Sequence, residues 1–169
     1  AALNSDKTVA GYEANGGFLQ QTPIIQDNKT LSPLPTRDAV IVPIAIMLLA
    51  QQQKLTISQL LSTLPQRYTF SDRIKDFPIE VSAVIIKKMT SSDRKTNLQM
   101  IKSYFDSISE PVDIDVTDGV RITFSNDDVV HVRPSGNAPE LRCYTESNSE
   151  VKATELNDFH VKAMRKWCR

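Results

Sequence analysis

Cysteine is scarce. The 169 residues hold two, Cys143 and Cys168, far apart and without the spacing of a metal-ligand pair. Reduced thiols in a cytoplasmic protein are the simplest expectation. An excess of one charge is also missing. Twenty basic and twenty acidic residues cancel, so the basic surplus of a nucleic-acid binder is absent and no nucleic-acid partner is expected. Long hydrophobic runs are lacking too. The longest, residues 39–50, is too short to cross a membrane and contains Pro43. It reads as a buried helix, with no membrane partner. The first residues, Ala1-Ala2-Leu3-Asn4-Ser5-Asp6-Lys7, have neither the basic start nor the apolar core of a secretory signal. No initiator methionine is present, and the opening reads as the middle of a domain. A fragment of a larger protein is therefore expected.

What is there is ordinary in bulk. An apolar fraction of 40% suits a globular chain of one medium domain or two small ones. Residues 8–19 read as two short extended pieces around a tight loop, punctuated by Gly11, Gly16 and Gly17. Glu13 and Asn15 alternate with Tyr12 and Ala14, so their side chains can share one side of an extended backbone. A carboxylate beside a carboxamide can clamp neighbouring sugar hydroxyls; it can equally be a polar surface hairpin. Thr36 or Asp38 is placed to cap a helix running to about Lys54, kinked at Pro43 if that residue falls beyond the first turn. Thr56-Ile57-Ser58-Gln59 is a capping box before Leu60, Leu61 and Leu64, and Pro65 stops that helix. Residues 66–78 read as a polar hinge between domains, with room for a short strand. Ser82 is placed to cap a helix carrying Val84, Ile85 and Met89. A second capping box, Thr96-Asn97-Leu98-Gln99, precedes a stripe of Leu98, Ile101, Phe105 and Ile108.

After Pro111 the period becomes two. Val112, Ile114 and Val116 alternate with polar residues, Asp118-Gly119 turns, Val120, Ile122 and Phe124 alternate again, and residues 126–128 turn into an apolar run at 129–132. Asp113, Asp115 and Asp118 lack the glycine and terminal glutamate of a calcium loop and read as exposed strand positions. A strand follows from Leu141, and residues 150–167 read as a helix with Leu156, Phe159, Ala163 and Trp167 on one stripe. Helices, an antiparallel sheet and a covering helix make an α+β architecture. His131 and His160 stand alone, without a neighbouring nucleophile, and read as structural or solvated.

Between the last two strands lies His131-Val132-Arg133-Pro134-Ser135-Gly136-Asn137-Ala138-Pro139-Glu140-Leu141-Arg142. Gly136 can take a positive φ at no steric cost, and a chain reversing there can aim backbone N–H groups at an anion. Ser135 and Asn137 add short donors, Arg133 a fork that matches phosphate, and Arg142 a second positive charge. The same turn could be a plain connection carrying a solvated arginine.

Arg133 to Arg142 closely resembles the phosphate-binding loop of the α-D-phosphohexomutases, commonly Arg-Pro-Ser-Gly-Thr-Glu-Pro-x-Leu-Arg, which belongs to their fourth, C-terminal domain. Glu13-Ala14-Asn15-Gly16 is similar to the core of their sugar-binding loop, commonly Gly-Glu-x-Ser-Gly-His, with Asn15 for the usual serine and Gly17 for the histidine. The helix start at Thr36-Arg37-Asp38-Ala39 is similar to the one after that loop. The resemblance implies a TATA-box-binding-protein-like fold for residues 71–169 and the latter part of an α/β third domain for residues 1–70. It implies Glu13 and Asn15 as sugar ligands, and Arg133, Ser135, Gly136, Asn137 and Arg142 as phosphate ligands. It implies hexose phosphate and hexose bisphosphate as partners, alongside upstream domains of the same enzyme. The family's phosphoserine loop and its Asp-Gly-Asp-x-Asp-Arg magnesium loop do not occur here, so no catalytic or metal residue is expected in this chain, and Mg²⁺ is expected on the upstream part. The expected function is interconversion of hexose 6-phosphate and hexose 1-phosphate by the whole enzyme, with this piece inactive alone. A non-catalytic phosphosugar- or anion-binding module is the rival.

Overall fold

The structure is a computed structural model, and it describes residues 8–12, 17–34, 36–90, 93–105 and 109–168. The chain divides into two compact units, one ending at Pro65 and the other beginning at Gln66.

The described residues of the first unit form two hairpins and two helices. Strand β1 (Ala10–Tyr12) pairs antiparallel with β2 (Phe18–Gln20), and β3 (Ile24–Gln26) with β4 (Lys29–Leu31). Asp27 and Asn28 both have positive φ, 49° and 60°, as a two-residue hairpin turn requires. The buried Gln20 side chain donates to the carbonyls of Thr22, Leu31 and Ser32 and so links the hairpins. Helix α1 spans Ile41–Gln53. Asp38 accepts from the N–H groups of Val40 and Ile41 at 2.7 and 3.1 Å, satisfying donors that have no intrahelical partner. Pro43 lies in the first turn, where its missing N–H costs nothing, so no kink is needed. Helix α2 (Ile57–Ser62) starts with the expected capping box: Gln59 N–H donates to Thr56 Oγ1, and Thr56 N–H to Gln59 Oε1.

Burial of α1 does not hold. Of its residues only Ala50 is buried, while Ile44, Ile46, Met47, Leu48 and Leu49 are exposed. Among the described residues of this unit, two two-stranded sheets and a six-residue helix supply no layer wide enough to cover it.

The second unit is a five-stranded antiparallel sheet with helices packed on one face. Its strands are β5 (Tyr68–Lys75), β6 (Pro111–Asp115), β7 (Val120–Phe124), β8 (Val129–Pro134) and β9 (Glu140–Ser147), in spatial order β5-β9-β8-β7-β6. The covering helices are α3 (Ile79–Thr90), α4 (Arg94–Phe105) and α5 (Glu150–Met164), with a short 3-10 turn at Arg165–Cys168. Alternation places Val120, Ile122, Phe124, Val130, Val132, Leu141 and Cys143 in the core, all at or below 2% exposure. Ile85 and Met89, Ile101 and Phe105, and Val161 and Met164 meet them from the three helices. No described helix is long and apolar enough to cross a membrane.

Several local expectations change. Residues 68–75 are not linker: they form β5, paired along their whole length with β9 from Tyr68↔Ser147 to Lys75↔Glu140. An edge strand needs only one apolar stripe and reads as polar; only Ile74 of β5 is buried. Helix α3 begins before Ser82, whose buried hydroxyl donates to the Ile79 carbonyl inside the helix. Helix α4 is capped by Asp93, not Thr96: Asp93 accepts from the N–H groups of Lys95 and Thr96, and the Thr96 hydroxyl completes the bond set. These bonds hold the Asp93 carboxyl below its ordinary value, the Thr96 hydroxyl first among them. Ile108 lies outside the described residues. On α5 the buried positions are Ala153, Asn157, His160, Val161 and Met164, with Phe159 at the margin. Asn157 sits in the apolar stripe because its amide donates to the Cys143 carbonyl and to Thr145 Oγ1 of β9, a partner requirement that hydrophobic patterning does not register. His160 is structural, its ring 4.9 Å from that of Phe105.

Candidate functional site

The face of the sheet opposite the helices is polar. In an antiparallel pair, directly opposed residues project to the same side. The register pairs Arg133 of β8 with Arg142 of β9, and His131 with Tyr144. Their core-facing neighbours Val132, Leu141 and Cys143 are fully buried, so these four side chains share the open face. The two arginines that the sequence singled out, nine positions apart, are thus cross-strand neighbours at the end of the β8–β9 hairpin.

The loop between these strands, residues 135–139, is closed by the Ser135 N–H donating to the Glu140 carbonyl at 2.9 Å and the Glu140 N–H to the Ala138 carbonyl at 2.7 Å. Phe77 N–H anchors it from below, donating to the Pro139 carbonyl at 2.9 Å. The Asn137 N–H points to Ser135 Oγ at 3.4 Å. Gly136 differs from expectation. Only Gly119 among the described glycines has positive φ, and a Cβ on Gly136 would meet nothing within 4 Å. Its freedom is not spent on a left-handed turn. It leaves the loop tip open to an approaching group, and among the described residues its N–H donates to none.

Ionic partners surround the arginines. Arg133 Nε lies 3.0 Å from Asp118 Oδ2, with the Arg133 side chain 44% exposed. Asp118 comes from the β6–β7 turn, held here by two further contacts. Its carbonyl accepts from His131 Nε2 at 2.5 Å. The adjoining Gly119, at φ +79°, packs so closely on β8 that a Cβ would stand 2.4 Å from the Val132 carbonyl oxygen. Arg142 Nη2 lies 3.5 Å from Glu140 Oε2. A hydrogen bond to Tyr144 is the main reason, and the Glu140 carboxylate a lesser one, that Arg142 is held above the ordinary guanidinium value. The His131 and Tyr144 rings pack at 5.7 Å. A polar cavity of about 360 Å³ opens beside them, lined by Ser71, Asp72, Arg73, Arg142 and Tyr144.

Arg133 and Arg142, with Ser135, Gly136 and Asn137 between them, therefore lie in one hairpin end. Glu13 and Asn15 lie outside the described residues; the strands on either side of them, β1 and β2, pair with Tyr12 opposite Phe18. No group of three or more His, Cys, Asp or Glu among the described residues could hold a metal ion. Asp118, His131, Tyr144 and Arg73 were missed as site residues. Strand alternation could have placed His131 and Tyr144 beside the arginines. Asp118 reaches the site only through the pairing of β7 with β8, and Arg73 only through that of β5 with β9.

Known proteins resemble the stretch that holds this hairpin end. Residues 87–163, which include β8, the loop and β9, match the model of the family described as phosphoglucomutase/phosphomannomutase, C-terminal domain. A protein named phosphomannomutase from Salmonella muenchen is 43% identical over 148 residues, covering 88% of this chain and 30% of that protein. A phosphomannomutase from Sinorhizobium fredii is 33% identical over 92% of this chain and 32% of its own length. A probable phosphoglucosamine mutase from Methanobrevibacter smithii is 33% identical over 54% of this chain and 20% of its own. The chain thus spans about a third of the length of the phosphomannomutases it matches. With the antiparallel sheet, its helical layer and the loop between two arginines in place, the chain belongs to the phosphoglucomutase/phosphomannomutase family and carries that family's C-terminal domain.

Proposed function

We propose that this chain is the substrate-binding C-terminal part of a phosphomannomutase-type enzyme that interconverts hexose 6-phosphate and hexose 1-phosphate through a hexose bisphosphate. The observation that carries the reading is the pairing of Arg133 with Arg142 across β8 and β9, on the open sheet face and beside a loop whose Gly136 N–H donates to none of the described residues. Two guanidinium groups supply the charge and the planar donor forks that a phosphate dianion needs. Ser135 and Asn137 add neutral donors. Glu13 and Asn15 hold the sugar hydroxyls. The phosphate gripped here is the one not reacting, and its binding energy positions the other end.

The reacting machinery belongs to the upstream part of the same enzyme. On this reading the phosphoserine that would relay the phosphoryl group and the Mg²⁺ that would neutralise its charge are held there, and this chain alone has no mutase activity. The names of the two most extensively matched relatives make mannose 1-phosphate and mannose 6-phosphate the first substrates to test. The exposed apolar residues of α1 fit the latter part of a larger α/β domain. The reading places the enzyme in the cytoplasm.

Calorimetric titration of mannose 1-phosphate into the full-length protein tests it. Arg133→Ala should weaken binding roughly 10- to 100-fold, the worth of a charge-assisted hydrogen bond. Arg133→Lys should restore part of the loss, keeping the charge without the fork, and Ser135→Ala should cost less than either. Equal affinities in wild type and a folded Arg133→Ala protein would remove the loop from the site.

A further inference from the structure

The pairing that joins Arg133 to Arg142 does not stop at β9. On the other side of that strand, Arg142 stands opposite Arg73 of β5. Arg73, Arg142 and Arg133 thus form one row across three adjacent strands, all on the open face. Arg73 lies outside the span matched by the family model, in a stretch whose sequence reads as a linker.

Such a row is unfavourable by itself. Like charges directly opposed across a strand pair repel, and here the central arginine has one on each side. Two carboxylates offset three guanidinium groups incompletely. Glu140 stands between two of them, 3.6 Å from Arg73 Nε and 3.5 Å from Arg142 Nη2, and Asp118 takes Arg133. Lys75, opposite Glu140 in the register, adds a further positive charge. The contrast lies at the other end of the same face, where Arg67 and Arg121 share Glu146 at 2.7 and 3.9 Å and no three arginines stand in one row.

The cavity of about 360 Å³ lies on the Arg73 side of the row, with Ser71, Asp72, Arg73, Arg142 and Tyr144 in its lining; even with the Asp72 carboxylate counted beside Glu140 and Asp118, the three arginines and Lys75 keep one positive charge in excess. Adjacent strands are about 4.8 Å apart, so the outer two arginines arise from backbones about 10 Å apart. Three side chains of arginine length can converge on one tetrahedral anion over that span. Resting on the phosphate-site reading above, we propose that the phosphate site extends across the sheet to β5, and that Arg73 is a third cation gripping the phosphate monoester dianion, with Tyr144 hydroxyl beside it. Glu140 and Asp118 hold the forks apart from one another until phosphate takes their place.

The test is titration of inorganic phosphate and of mannose 1-phosphate into the full-length protein, followed by phosphorus NMR and calorimetry. Arg73→Gln should weaken binding roughly tenfold, with Arg73→Lys between it and wild type. Glu140→Gln should tighten binding, because it frees two forks, and much of that gain should vanish when combined with Arg73→Gln. Wild-type affinity in Arg73→Gln, alongside lost affinity in Arg133→Ala, overturns this inference and leaves the loop reading standing. Wild-type affinity in both variants overturns both. Weakened binding in Glu140→Gln also overturns it, since Arg73 would then serve only to hold Glu140. Should Arg73→Gln fail to fold, Arg73→Lys decides: a several-fold loss supports the third cation, and wild-type affinity overturns it.

Discussion

Acidification should unfold this protein partly through one residue, His160. Its ring is 1% exposed, wedged among Phe105, Phe124 and Phe159 at centroid distances of 4.9, 5.8 and 5.2 Å. Nδ1 lies 2.8 Å from the Leu156 carbonyl one turn earlier, and Nε2 has no partner among the described residues. The neutral tautomer with Nδ1–H donating suits this site; a proton on Nε2 would be a buried charge without an acceptor. Burial therefore pushes the imidazole down from 6.5 to about 4, against the smaller opposing pulls of the Leu156 carbonyl and Asp128. The folded state binds the proton less readily than the unfolded chain. The contribution to stability is complete above about pH 6.5, declines as pH falls, and is lost below about pH 4. At about 1.4 kcal/mol per decade, the loss is about 3 kcal/mol. Urea unfolding followed by Trp167, the chain's single tryptophan, reports on this region, since its ring packs 5.3 Å from Phe105. Carboxylates titrate in the same window, so the comparison is with His160→Phe, which keeps a ring of similar size and cannot titrate. The two proteins should differ by about 1.5 kcal/mol or less at pH 7.5, and the wild type should lose about 3 kcal/mol more on going to pH 4. Parallel pH profiles would refute the assignment.

Two further outcomes check the packing around the site. Gly119→Ala should lower the melting temperature by several degrees, for a cost of about 1–3 kcal/mol, because φ is +79° and the new Cβ would meet the Val132 carbonyl oxygen at 2.4 Å; an unchanged midpoint would contradict that close approach. A thiol reagent at pH 8 should label one cysteine quickly, the exposed Cys168, and the second only on unfolding, because burial first and the Asp72 charge second push the Cys143 thiol up to about 12; two fast equivalents would show that β9 is open.

Much of the second unit is written in its sequence. Alternation at Val120, Ile122 and Phe124 specifies a strand with one buried face, and the turn residues at 118–119 specify where the chain reverses. In the first unit, the box at Thr56 and Gln59 likewise specifies a helix start by donor arithmetic alone. Arg133, Ser135, Gly136 and Asn137 could be picked out as candidates because the donors of an anion-binding loop lie within a few residues of one another. Periodicity says nothing, however, about which strand lies beside which. The helix that α1's apolar run predicts does form, but whether it is buried depends on what packs over it. Within residues 66–78, read as a hinge, 68–75 form an edge strand, because a mostly exposed polar strand and a linker look alike until a partner is known. Asn157 and His160 entered the core for the same kind of reason: a helix places them over strands whose carbonyls and rings can receive them. Only the antiparallel register brings Arg73 of β5 level with Arg142 and Arg133, since strand neighbours distant in sequence are selected by burial of their opposite faces. Sequence alone determined the local donors and the single loop; tertiary pairing decided that three arginines share one row, because the sheet's common core face forces their side chains to the other side.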